Sequence, residues 1–302
     1  MKKFLKGFFR VLTAPVWVPW RAIRALARGL YRLRMRLVAF FTAEPEEHSF
    51  ADIVQRASEH PQDLWYHLNI FRKHLFRAVL FWLLTTGFSV VFTPRLIDFL
   101  AAPIGGIRHL QAIEVTEPIG VFFRVALLSG FALALPYIYW EMYLFVAPGL
   151  RPRGRIFGLL AAPLVLAFFV GGMAFAYFVM LPTALPFLLN FMGIPTLPRP
   201  SSYLRFVTNL MFWVGVAFEF PLIIYLLAAL GWVKARHLLE HWRIAVVIIA
   251  VLAAAITPTV DPVNMLLVMA PMIVLYLLSI GLARLAEHGR EAPETPPKES
   301  AV

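Results

Sequence analysis

The chain predicts an all-α, polytopic membrane protein with six transmembrane helices and both termini cytoplasmic. Three observations carry that expectation. Of 302 residues, 60% are apolar and only 15% charged, with a mean hydropathy of +0.74; a soluble domain is about 45–50% apolar and about 25% charged. Six apolar stretches approach the ~20 residues that a helix needs to cross a hydrocarbon core about 30 Å thick. Lys and Arg are concentrated in alternate connections, as the positive-inside rule requires.

The stretches lie near 75–94, 119–147, 156–182, 205–231, 241–257 and 264–283. The first stops at Thr93-Pro94-Arg95 and the second at Pro148-Gly149. The third ends at Pro182, and the fourth carries one acid, Glu219. The fifth is short: its apolar run, 244–256, reaches only about 20 Å at 1.5 Å per residue. A run of that length also suits a soluble core helix, but its place between clear spans makes it a short span. Prolines 136, 163, 221 and 271 are expected to bend their helices.

A formal charge of +11 would in a soluble protein point to nucleic acid. Its distribution excludes that partner. Residues 1–43 hold ten cations and no acid, while the remaining 18 Lys and Arg face 17 Asp and Glu. With the amino end inside, the inner segments hold 22 cations and the outer loops four (Arg95, Arg108, Arg199, Arg205). Without the basic head the ratio is still 12 to 4. Arg77 and Arg124 fall within spans and are expected to snorkel to the two interfaces.

Residues 1–43 read as a separate module, broken at Pro15 and Pro19. Arg24, Arg28, Arg32 and Arg36 recur every four residues with Arg21 on their face, opposite Ile23, Leu26, Leu30, Leu33, Leu37 and Phe40. That is the pattern of an amphipathic helix lying on anionic lipid; a pure topology determinant without a partner is the alternative. Residues 44–64 read as a soluble linker, 65–285 as the membrane domain, and 286–302, with three prolines and mixed charge, as a disordered tail.

Cysteine is absent, so thiol catalysis, disulfides and Cys-ligated metal are excluded. No Gly-rich phosphate loop or metal-ligand spacing occurs, and no nucleophile–base pair or second buried acid supports an intramembrane hydrolase. An enzyme is not expected, and neither is a metal or cofactor. Glu219 is the strongest functional candidate on physical grounds. An ionised carboxylate at mid-membrane costs several kcal/mol, so the residue is protonated or paired, and its default reading is functional. Pro221 has no N–H for the carbonyl of Ala217, which opens a polar backbone group within one turn.

Several motifs then fall in one order. His67-Leu68 through Arg72 precedes the first span; Ala102-Pro103 and Thr116-Glu117 lie in the first outer loop. The second span closes on Phe145-Val146-Ala147-Pro148-Gly149-Leu150. The third carries Gly172-Met173-Ala174-Phe175-Ala176-Tyr177, the fourth Phe218-Glu219-Phe220-Pro221, and Thr257-Pro258-Thr259-Val260-Asp261-Pro262 links the last two. Taken together, this series resembles TatC, the multispanning subunit family of the twin-arginine protein translocase, over about 65–285.

The resemblance implies a receptor in the bacterial cytoplasmic membrane for twin-arginine signal peptides of folded cargo. It implies single-span partners of the TatA and TatB type, homo- and hetero-oligomers, and the proton-motive force as the driver. By the same resemblance Arg72, Glu141, Phe145, Pro148 and Leu150 would bind the signal peptide. Glu219, Pro221 and Tyr177 would dock a partner, and Pro103, Glu117 and Asp261 would order the outer loops.

Recognition of two arginines favours carboxylates, which pair bidentately with guanidinium. Two glutamates of the family pattern stand here as Ile70 and Gly154, a third as Leu277, and the first inner loop is cationic through Arg151, Arg153 and Arg155. Two readings follow. Either Glu141, where the family usually carries glutamine, supplies the acid with help from Glu44, Glu46 and Glu47. Or the chain is a divergent paralogue, a membrane scaffold or small-solute transporter without twin-arginine recognition.

Overall fold

A computed structural model describes residues 61–150, 152–189, 197–257 and 262–291. The basic segment 1–43, most of the linker, Asp261 and 292–302 lie outside them. Within the described residues the chain is helical, without a strand. Its helices are α1 (Pro61–Ser89), α2 (Thr93–Ala101), α3 (Glu117–Val146), α4 (Pro152–Phe175), α5 (Leu181–Leu189), α6 (Pro200–Phe218), α7 (Phe220–Leu230), α8 (Ala235–Glu240), α9 (Trp242–Ile256) and α10 (Pro262–Glu291). Five residues of π-helix, Ala176–Met180, join α4 to α5.

Each of the six apolar stretches is helical. Glu117–Gly149, Gly154–Pro186, Pro200–Leu230 and Met265–His288 are long and apolar enough to cross a membrane. The fifth is α9, whose 15 residues reach about 22 Å. The first differs from expectation: α1 ends at Ser89, and α2 leaves it at 77°. Pro94 lacks the N–H that a continued helix needs. Phe92 N–H and the Thr93 hydroxyl both turn back to the Ser89 carbonyl, at 3.0 and 2.9 Å, and close α1. The chain is therefore an all-α polytopic membrane protein whose first span is broken. Outward faces of α1 and α9 remain apolar, with Leu84 and Val251 each 64% exposed, as lipid contact requires.

Close approach of backbones holds the helices together, since lipid offers no hydrophobic drive for their association. α1 runs antiparallel to α3. At Gly130 of α3 a Cβ would lie 2.5 Å from Thr86 Cα, so only glycine fits. Around that crossing the Thr85 hydroxyl donates to the Gly130 carbonyl at 2.8 Å, and Trp82 Nε1 donates to Leu127 O at 3.2 Å. Ser89 and Ser129 hydrogen-bond across the same seam. A second seam crosses α4 and α6, where a Cβ on Gly172 would sit 2.8 Å from Gly215 Cα. Val125, Leu181, Leu204, Val207 and Val214 fill the core between α3, α5 and α6.

Two boundaries depart from the sequence reading. α1 opens at Pro61, inside the stretch expected as linker. α10 continues to Glu291, into the stretch expected to be disordered. Its reason is a contact: Ala286 is buried, and Glu287 Oε1 accepts the backbone N–H of Ala235 at 2.8 Å, capping α8. The helices run on through Pro136, Pro163 and Pro271. Only at Pro221, among the four expected bends, is the helix interrupted.

Candidate functional site

The residues singled out from sequence divide into three places. The first lies between the middle turns of α1 and the last turns of α3. Glu141 is buried, 3% exposed. Its Oε2 pairs with His74 Nδ1 at 2.6 Å, its Oε1 accepts the Tyr137 hydroxyl at 2.7 Å, and Arg77 stands 4.0 Å away. Both carboxylate oxygens are occupied from within the protein. Phe145 closes the cluster by packing edge-on against Phe71, ring centres 5.3 Å apart.

Arg72 belongs to the same end of the molecule but not to that cluster. It is exposed, and its guanidinium donates to Asn69 Oδ1 at 2.9 Å. Pro148 is exposed, whereas Leu150 is 1% exposed and offers no surface to a ligand. Arg155 also differs from its sequence reading as part of a repelling cationic loop. It is buried, and it donates to the carbonyls of Ala147 at 2.9 Å and Pro148 at 3.3 Å, while the Tyr143 hydroxyl donates to the Arg155 carbonyl at 2.7 Å. A cation on the orphan carbonyls of a helix end is favourable. Arg155 caps α3.

The second place is the break between α6 and α7. Glu219 is the single residue between the two helices. Its N–H turns to Val216 O at 3.1 Å, and its carbonyl accepts from Leu222 and Ile223 at 3.0 and 3.1 Å. Pro221, buried, is the reason the chain cannot run straight through. Oε1 of Glu219 is buried with no hydrogen-bond partner among the described residues. An unsatisfied buried acceptor costs about 1–3 kcal/mol, so the protein alone leaves this group short of one donor. Tyr177, named with it as a docking residue, stands at a different place. It lies in the π segment, stacks on Phe99 with ring centres 4.4 Å apart, and donates to the Phe99 carbonyl at 2.6 Å. Its job is to hold α2.

The third place is at the start of α3 and α6. Glu117 is buried, 6% exposed, and accepts from both Nε and a terminal nitrogen of Arg199. Glu114 reaches the same guanidinium at 3.3 Å. The hydrogen bond to Glu117, with Glu114 behind it, pushes Arg199 above its ordinary pKa. Pro103 sits exposed in the turn Ala102–Ile104, and Asp261 lies outside the described residues.

Sequence reasoning missed four partners: His74, Tyr137, Arg155 and Arg199. Tyr137 was within reach, since it stands four residues before Glu141 on one helix face. The others meet their partners only across a helix crossing or a turn.

The family model described as "Sec-independent protein translocase protein (TatC)" matches residues 66–271. The Sec-independent protein translocase protein TatC of Deinococcus radiodurans is 36% identical over 235 residues, covering 73% of this chain and 85% of that protein. Its counterpart in Carboxydothermus hydrogenoformans is 33% identical over 227 residues, covering 74% and 93%. A crystal structure of the twin-arginine translocase receptor TatC superposes with a TM-score of 0.62 at 28% identity, over 73% of this chain and 99% of that one. The chain belongs to the TatC family of Sec-independent protein translocase proteins.

Proposed function

We propose that this chain is the receptor and assembly scaffold of a twin-arginine export system. It sits in a bacterial cytoplasmic membrane with both termini inside, as the 12-to-4 ratio of inner to outer cations outside the basic head favours. It works without cofactor or catalytic residue, on the proton-motive force, in homo- and hetero-oligomers with TatA- and TatB-type single-span partners. Residues 1–43 lie on anionic lipid.

Glu219 carries the reading. A carboxyl at a helix break within an apolar span, with Oε1 buried and lacking a donor among the described residues, is completed by a polar side chain from another helix. Pro221 keeps the break open, and Tyr177 contributes to docking from its own place in the π segment, by holding α2. Signal-peptide binding belongs at the His74 end, on Arg72, Phe145 and Pro148. Glu141 and Leu150 stand behind that surface, and a guanidinium of the peptide reaches Glu141 by displacing His74. Pro103, Glu117 and Asp261 order the opposite end.

The test is export of a twin-arginine reporter in a strain lacking its own TatC, supplied with this chain alone. Export is expected, as is its loss in Glu219→Ala together with recovery of TatA- and TatB-type partners in pull-down. Undiminished recovery by Glu219→Ala would count against docking there. One observation favours the second reading, a paralogue acting as a scaffold or transporter without twin-arginine recognition: Glu141 is already engaged by His74 and Tyr137, while Ile70 and Gly154 supply no acid. Absence of both export and signal-peptide binding by the unmutated protein would favour it.

A further inference from the structure

At the end of the molecule opposite the His74 cluster, α3, α6 and the last turn of α9 enclose a cavity of about 780 Å³. Three arginines line it, and they are not equivalent. Arg199 is taken by both nearby acids, Glu114 and Glu117. Arg124 on α3 and Arg205 on α6 have no side-chain ion pair, hydrogen bond or ring partner among the described residues. Along α3, Arg124 stands seven residues beyond Glu117, about 10 Å deeper by helical rise. Asn209 follows Arg205 by one turn on the same wall, and the half-exposed indole of Trp213 (51%) lies one turn further. The wall therefore changes along its depth from guanidinium and amide to indole and aliphatic.

A charge within an apolar span is expensive unless a partner satisfies it. Phosphate oxygens, like those of a carboxylate, meet a guanidinium bidentately, and a cavity whose lining passes from cations to apolar residues fits a phosphate-bearing molecule with the same polarity order, a phospholipid. We propose that this cavity seats a membrane phospholipid: Arg124 and Arg205 hold its phosphodiester, Asn209 donates to it, and an acyl chain lies along Trp213 and Ile256. The site uses none of the residues assigned to signal-peptide binding or to docking at Glu219, so its fate is separable from theirs.

The test uses full-length protein in detergent, stripped of lipid and titrated with dioleoylphosphatidylglycerol under native mass spectrometry. The unmutated protein is expected to retain the lipid, and Arg124→Gln/Arg205→Gln to bind it at least about tenfold more weakly. Arg124→Lys/Arg205→Lys is expected to recover part of that loss. Dioleoylglycerol, which lacks the phosphate, should bind no better than the lipid does to the double Gln variant, and millimolar inorganic phosphate should not displace the lipid. An unchanged melting temperature keeps the loss from reporting misfolding. If the double Gln variant does not fold, Arg205→Gln at its exposed position is read instead, with a several-fold loss expected. Equal retention by unmutated and Gln proteins overturns the proposal and leaves the cations to another partner, such as an acidic peptide. Displacement by phosphate alone overturns it in favour of a free-anion site, and equal binding of dioleoylglycerol in favour of an unspecific apolar groove.

Discussion

Glu141 and Glu219 are both carboxylates in apolar helices, and they differ in what completes them. Glu141 has a donor for each oxygen, His74 across the α1–α3 seam and Tyr137 one turn back. Glu219 has a buried oxygen that lacks one among the described residues. Removing a partner from a satisfied buried network strands the groups that remain, at about 1–3 kcal/mol each. Glu141→Ala is therefore expected to lower the melting temperature in detergent, and His74→Ala to do the same. Because they share one interaction, the double variant should melt little below either single one; additive losses would refute the network. Glu219→Ala removes an oxygen that has no donor among the described residues, so its effect should fall on partner capture more than on melting.

At the scale of the helices, glycines set how closely the walls meet. Gly130 against Thr86 and Gly172 against Gly215 leave no room for a Cβ, and inserting carbon into a packed contact costs about 1–3 kcal/mol. Gly172→Leu is expected to lower the melting temperature, whereas Gly171→Leu, with nothing within 4 Å of its added Cβ, is not. Equal effects of the two would remove the α4–α6 crossing as the cause. Arg155 illustrates the same scale differently. In sequence it extends a basic loop; folded, it binds the carbonyls of Ala147 and Pro148 in the turn that closes α3, the helix that carries Glu141.

For the whole molecule, cation asymmetry is the physical lever on orientation. A fluorescent protein that folds only in the cytoplasm should light when fused after Val302 and stay dark when inserted between Gly105 and Gly106. The reverse pattern would overturn the proposed topology. The 15-residue α9 gives one of the six segments less reach than a straight helix of ~20 residues, and membrane thinning is the usual accommodation of a short span.

Much of this protein was determined by local chemistry. Apolar runs bounded by Thr93-Pro94 and Pro148-Gly149 specify helices because every backbone group in lipid must be satisfied within its own segment. Pro221 marks the break beside Glu219 because it removes an N–H whatever its neighbours are. The isolated acid at Glu219 was readable for the same reason. What pairs with what was decided only by tertiary structure. Glu141 looked open to a ligand until the α1–α3 crossing brought His74 to it from 67 residues away. Tyr177 was grouped with Glu219 by role, and only the packing showed its ring stacked on Phe99. The bend after Ser89, the cap by Arg155 and the union of Glu117 with Arg199 share that origin. Crossing angle and axial register between helices arise from the summed fit of two surfaces, and no spacing along a single strand of sequence encodes them.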